Sequence, residues 1–264
     1  MRKRPFKHCA LCLEEKLLCD SHLIPAGIMR LIRAQHLRNP NPIVVSETIH
    51  YTTSKPCMDY LLCEGCEKRF STKGEEWVSK NCYRGKKAFR IQEALSRNTP
   101  VTTLPDGVIL YRGASIPEID SEQLTYFALS VIWRAAVHKW RNGPRTVSLE
   151  LGPYLEPLRQ FLRGESPFPD CMMVVVRVSS LSGYAPSVNL PVSRPGSGFR
   201  VHAFAILGLT FLLVVGKMVD VIGQPNTWPS PDHFIGVVPE IDIEDQQRAL
   251  MRYSKAIARG FVPK

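Results

Sequence analysis

A chain of 264 residues with 44% hydrophobic residues has enough apolar surface for one large domain or two small ones, which excludes disorder throughout. Its formal net charge of +10 is concentrated in residues 1–100, where 18 Lys and Arg stand against 10 Asp and Glu, a net of +8. An excess of that sign points either to a polyanionic partner, most simply nucleic acid, or to a solvated basic surface.

Residues 1–4 form a short basic arm with no apolar run behind it, so no secretory signal is expected. Four of the eight cysteines fall into two short pairs, Cys9-Ala10-Leu11-Cys12 and Cys63-Glu64-Gly65-Cys66. Two thiolates separated by two residues reach one ion, and two such pairs complete a tetrahedral structural zinc (Zn2+) site. Thiolates committed to metal fit a reducing cytoplasm better than a disulfide scaffold does. A second grouping is open on spacing alone: Cys9, Cys12, Cys19 and His22 around one ion, with Cys57, Cys63, Cys66 and Cys82 around another.

After the first pair, residues 26–37 carry apolar positions at helical spacing, and Asn39-Pro40-Asn41-Pro42 stops them. Residues 43–53 are rich in β-branched side chains and predict a strand or hairpin arm. Residues 68–80 predict a helix, and residues 80–97 a basic helix-compatible stretch. Residues 98–107 read as a linker. The strongest helical periodicity of the chain lies at 119–140, with Leu124, Phe127, Ala128, Val131, Ile132 and Ala135 on its apolar positions. A shorter helix is expected at 153–162. Strands are expected at 172–178, 200–207 and 209–215, and a closing helix at 242–258. The apolar stretch 201–215 is too short for a spanning helix, which needs about 20 residues, so a buried hairpin and no membrane span are expected. Tyr111-Arg112-Gly113 and Trp133-Arg134 stand out without a mechanism, and Asp220, Asp232, Glu240 and Asp242 form a loosely acidic region.

The order Cys-x2-Cys, then Ser21-His22-Leu23-Ile24-Pro25, then Leu61-Leu62-Cys63-x2-Cys66 resembles the HNH nuclease superfamily over about residues 7–80. The resemblance implies a treble-clef zinc knuckle carrying a ββα-metal unit, in which a histidine is the general base for phosphodiester cleavage and a divalent cation, Mg2+ or Mn2+, stabilises the charge developing on the phosphate. Carried over by position, His22 matches the base. Ser21 stands where the family has a ligating Asp, and Asp20 is a possible substitute. Glu67 stands where the family has a ligating His or Asn, and Met58 or Asp59 falls near the bracing Asn. A carboxylate is a good ligand for a hard cation and a hydroxyl a poor one.

The fold expected is α+β: an HNH-like treble-clef zinc module over residues 1–98, followed by a mixed helix and strand domain of unknown role over 99–264. The function expected is metal-dependent cleavage of DNA, in preference to RNA, by a restriction-like nuclease, a toxin or a repair factor. The alternatives are a non-catalytic zinc module that recognises nucleic acid within a defence or regulatory assembly, and a protein-interaction platform, with the C-terminal segment available for a protein partner or a second copy of the chain.

Overall fold

The computed structural model describes residues 3–34, 43–45, 50–52, 56–81, 90–103, 109–142, 145–179, 187–196, 198–216 and 234–238. The chain mixes helix and strand, with its cysteine cluster close to the N-terminus. Strands β1 (Phe6–His8) and β2 (Glu15–His22) form a hairpin around the first cysteine pair, and β5 (Met58–Cys63) adds antiparallel to β2. Helix α1 (Ala26–Ala34) leaves the end of β2. Helix α2 (Glu64–Phe70) starts at Cys63 and runs through a π-helical turn, Ser71–Glu75, into α3 (Glu76–Asn81). It begins four residues before the sequence pattern predicts, because Glu64 and Glu67 in its first turn favour that end electrostatically.

A nine-stranded sheet carries the rest, in the order β4 (His50–Thr52), β3 (Ile43–Val45), β11 (Ser187–Pro195), β12 (Phe199–Ile206), β13 (Leu209–Gly216), β10 (Met172–Ser179), β14 (Phe234–Val238), β7 (Ile109–Arg112) and β6 (Thr102–Thr103). The β12–β13 hairpin answers the question posed by its apolar sequence. Leu207 and Gly208, both at positive φ, make the tight turn, and the two strands pair from Ile206↔Leu209 to Phe199↔Gly216. No helix among the described residues is long and apolar enough to cross a membrane. Strand β11 had no counterpart in the sequence reading, since Pro191 and Pro195 interrupt its pattern. It holds its place through a register shift between Asn189 and Val192, where a proline costs no ladder bond. The stretch 98–107, read as a linker, contributes the edge strand β6. Residues 242–258, Cys82 and the acidic positions Asp220, Asp232, Glu240 and Asp242 lie outside the described residues.

The centre of the molecule is α5 (Ser121–Val137), capped by the Asp120 carboxylate accepting from the Gln123 N–H at 2.9 Å. Every residue from Leu124 to Ala135 on it is buried. A helix apolar all round must be covered on all sides. One face meets the sheet, where Phe127 lies 5.4 Å from Phe211 and 6.0 Å from Phe204 between ring centroids. Another meets the π turn, where a Cβ on Gly74 would stand 2.8 Å from the backbone nitrogen of Phe127. Short helices α4 (Arg90–Ser96) and α6 (Leu155–Arg163) complete the helical layer. The expected boundary near residue 98 is crossed by packing: β3 joins β11 in parallel, and one contiguous core runs from Cys9 to Val215.

Candidate metal centre and the buried ionic network beside it

The first cysteine pair sits in the turn between β1 and β2. Cys9 N–H donates to the Glu14 carbonyl at 2.9 Å and Leu13 N–H to the Cys9 carbonyl at 2.8 Å, with Leu13 in the left-handed region at φ 62°. The second pair is delivered by the junction of β5 and α2, Cys63 as the last strand residue and Cys66 in the first helical turn. The four Sγ atoms of Cys9, Cys12, Cys63 and Cys66 lie within 4.8 Å of one another, and the Cys12–Cys63 separation is 3.9 Å. Zinc–sulfur bonds of about 2.3 Å in a tetrahedron set sulfurs roughly 3.8 Å apart, so the cluster has the dimensions of a structural metal site. It is the one group of three or more potential ligands that comes together among the described residues. Cys19 and Cys57 do not join it. Burial alone pushes the Cys57 thiol up to about 11, which marks it as inert.

At Cys9 the surroundings favour the thiolate state that a metal requires, while burial raises Cys12. The bond from the Cys66 thiol, and then the N–H groups of Cys12, Cys63 and Leu11, hold Cys9 down at about 4 against the opposing effect of burial. The Cys63 N–H approaches its sulfur at 3.3 Å. The same bond with Cys9, with burial added, drives Cys66 up. From α6, Arg159 donates to the Leu11 carbonyl at 2.8 Å and Arg163 to the Cys12 carbonyl at 3.0 Å, so residues 148 and 151 positions away grip the backbone of the first cysteine pair.

His22 ends β2 and Glu67 follows Cys66 on α2. Ser21 stands between them, fully buried. Strand β5 carries one residue more than β2 between the pairs Leu18↔Cys63 and Asp20↔Tyr60, and this bulge frees the Leu62 N–H to donate to Ser21 Oγ at 3.1 Å. The Ser21 hydroxyl in turn bonds the Glu67 carboxylate. The other carboxylate oxygen, Glu67 Oε1, is buried with no hydrogen-bond partner. Burial raises the Glu67 carboxyl above its ordinary value, while Arg134 and Ser21 pull it down. Burial, and then the Arg134 charge, lower the His22 imidazole, against the Asp20 carbonyl that its ring engages.

The bracing candidates are placed elsewhere. Met58 pairs with His22 across the ladder but is 48% exposed, and the Asp59 carboxylate is taken by the Tyr60 N–H at 2.8 Å and by His138 at 3.0 Å. Asp20 lies exposed on β2.

Arg134, which stands out in the sequence without a mechanism, is drawn into this network by the fold. Its side chain is 1% exposed, with Nη1 donating to the His22 carbonyl at 2.6 Å and Nη2 paired with Glu75 and within 3.3 Å of Ser130 Oγ. Its guanidinium lies 5.0 Å from the centre of the Phe70 ring. The one available signal was an arginine inside the most apolar helix of the chain, since a charge there needs partners. Glu75 gave no such signal, because it is the π turn that aims it inward.

A divalent cation beside the cysteines meets a mixed fit. Glu67 Oε1 offers a hard, unpartnered oxygen, whereas Ser21, already bonded on both sides, offers nothing further. Compared with known proteins, the chain matches no family model, no curated protein and no solved structure.

Proposed function

We propose that the chain is a treble-clef zinc protein of the HNH type that cleaves DNA phosphodiester bonds, with His22 as general base and Glu67 as the protein ligand of the catalytic cation. The order of a cysteine knuckle, an antiparallel strand pair and a helix, with Cys9, Cys12, Cys63 and Cys66 holding a structural zinc ion, supports the treble-clef reading. The observation that carries the catalytic reading is the unpartnered, buried Oε1 of Glu67 directly after the last cysteine, on the helix against which the Ser21-His22 strand end packs. Buried polar atoms are nearly always satisfied, and an orphan of this kind calls for a ligand. Bound there, Mg2+ or Mn2+ supplies neutralisation of charge on the phosphate. With one N–H directed to the Asp20 carbonyl, the His22 ring has its second nitrogen to take a proton from water. The basic bias of residues 1–100 suits a phosphate backbone.

Wild type is expected to nick supercoiled DNA with Mg2+ or Mn2+, and His22→Ala to lose about 10²–10⁴ in rate while keeping its zinc. Because the His22 imidazole is lowered, it stays neutral as pH falls past its ordinary value of 6.5, so the acid limb of the rate profile lies below that pH. A variant that cuts at the wild-type rate contradicts the role of His22, and a wild type that cuts with neither metal contradicts the nuclease reading. The second reading, a non-catalytic knuckle that recognises nucleic acid, draws on Ser21: a fully buried hydroxyl, spent on Leu62 and Glu67, stands where the family places a ligating carboxylate. Salt-dependent DNA binding without cleavage is its signature.

A further inference from the structure

We infer that Arg134 is a positioning residue of this site: from the C-terminal half of the chain, its guanidinium fixes the end of β2 through the His22 carbonyl and so sets where the His22 ring stands. The inference rests on the reading of His22 as the base, and it gives residues 99–264 a role, that of the scaffold holding the site.

The bonds divide the work. Nη2 is anchored by Glu75, by Ser130 and by the Phe70 ring beneath the guanidinium, all on helices. That set alone would make a structural ion pair. Nη1 does something else: it crosses to the main chain of the candidate base, 112 positions away in sequence. The far end of the residue is also tied, because Trp140 Nε1 donates to the Arg134 carbonyl at 2.8 Å. The close approach at Gly74 brings the π turn, and with it Glu75, within reach of α5. A planar fork can serve a carboxylate and a carbonyl at once with fixed angles, and an ammonium cannot reproduce that geometry. An error of about 1 Å at a reacting group costs up to about a hundredfold in rate, so a tether on the base's own backbone has a direct use.

The test uses the full-length chain as wild type, Arg134→Lys and Glu75→Gln, with zinc content, melting temperature and the His22 ring signals followed by NMR through a pH titration. The charged groups facing that ring are Arg134, Asp20 and Glu75. In Arg134→Lys, zinc and the positive charge are expected to be kept, while the His22 ring signals shift because the fork that holds the His22 carbonyl is lost; the signals of His8, on the exposed β1, are expected not to move. In Glu75→Gln, which keeps the arginine and removes its counter-charge, the His22 ring signals are expected to shift and its midpoint to fall. Where the wild type cuts DNA, Arg134→Lys is expected to lower kcat by about tenfold to a hundredfold with KM little changed. A zinc-bound Arg134→Lys protein whose His22 ring signals match wild type overturns the inference; if that variant fails to fold, unmoved His22 ring signals in Glu75→Gln, where the anchor of Nη2 is weakened, do so. An inactive wild type whose His22 signals move as stated overturns the nuclease reading and leaves the positioning role supported.

Discussion

Cys63→Ser is expected to release the structural metal and melt the N-terminal part of the chain. Cys63 is 4% exposed and serves three functions at once: its sulfur belongs to the cluster, its N–H donates to Cys9 Sγ, and its backbone starts α2. A hydroxyl is a poor replacement for a thiolate on zinc. Structural zinc contributes an apparent 10–16 kcal/mol or so in small zinc modules, against a net stability of about 5–15 kcal/mol for a typical domain. Loss of the ion therefore outweighs anything the remaining packing can supply locally. The damage should spread, because Arg159 and Arg163 hold the carbonyls of Leu11 and Cys12 and the knuckle shares one core with α5. Metal analysis and thermal melting followed by circular dichroism read the effect. Cys57→Ser is the matched control and should keep its metal, since Cys57 is not in the cluster. A Cys63→Ser protein with full metal and an unchanged melting curve contradicts the four-cysteine assignment.

Arg134→Met is expected to destabilise the protein by about 3–5 kcal/mol, because removing one partner of a buried ion pair strands the other. The lower end of that range applies, since the Glu75 side chain keeps 16% exposure and water can reach part of it. The decisive comparison is with the double variant Arg134→Met/Glu75→Leu. Removing both charges should recover much of the loss, because two apolar side chains in a buried site impose no charge desolvation. Urea unfolding of the wild type, the single and the double variant measures this. A single variant within about 1 kcal/mol of wild type would mean that Glu75 is solvated well enough to stand alone.

What the sequence made legible was whatever depends on local spacing. Two cysteine pairs announce their own geometry, because the turn between each pair brings its sulfurs together, and the structure then groups those same four. Helix α5 was readable from its apolar periodicity, though Trp140, counted in the predicted helix, belongs to strand β8 (Trp140–Asn142). Glu67 could be singled out from its place next to Cys66, but the lone partnerless oxygen could not, because that depends on where Ser21 ends up. The features that build the site come from far apart in sequence. No local pattern pairs Ile43–Val45 with β11, or sends Arg134 to the His22 carbonyl. Nor could spacing reveal that one extra residue in a helix turns Glu75 inward, or that one extra residue in β5 gives Ser21 its donor. These are tertiary choices, made by burial and by the requirement that buried polar groups find partners.

The central claim is a single metal ion held by four thiolates, on whose folded frame Glu67, Ser21 and His22 are arranged. Elemental analysis of the purified full-length chain, combined with zinc X-ray absorption, tests it most directly. The expected result is one zinc per chain with four sulfur neighbours at about 2.3 Å. Two zinc ions per chain, or a shell containing a histidine nitrogen, would return His22 to the role of a structural ligand and contradict both the metal site and the function built on it.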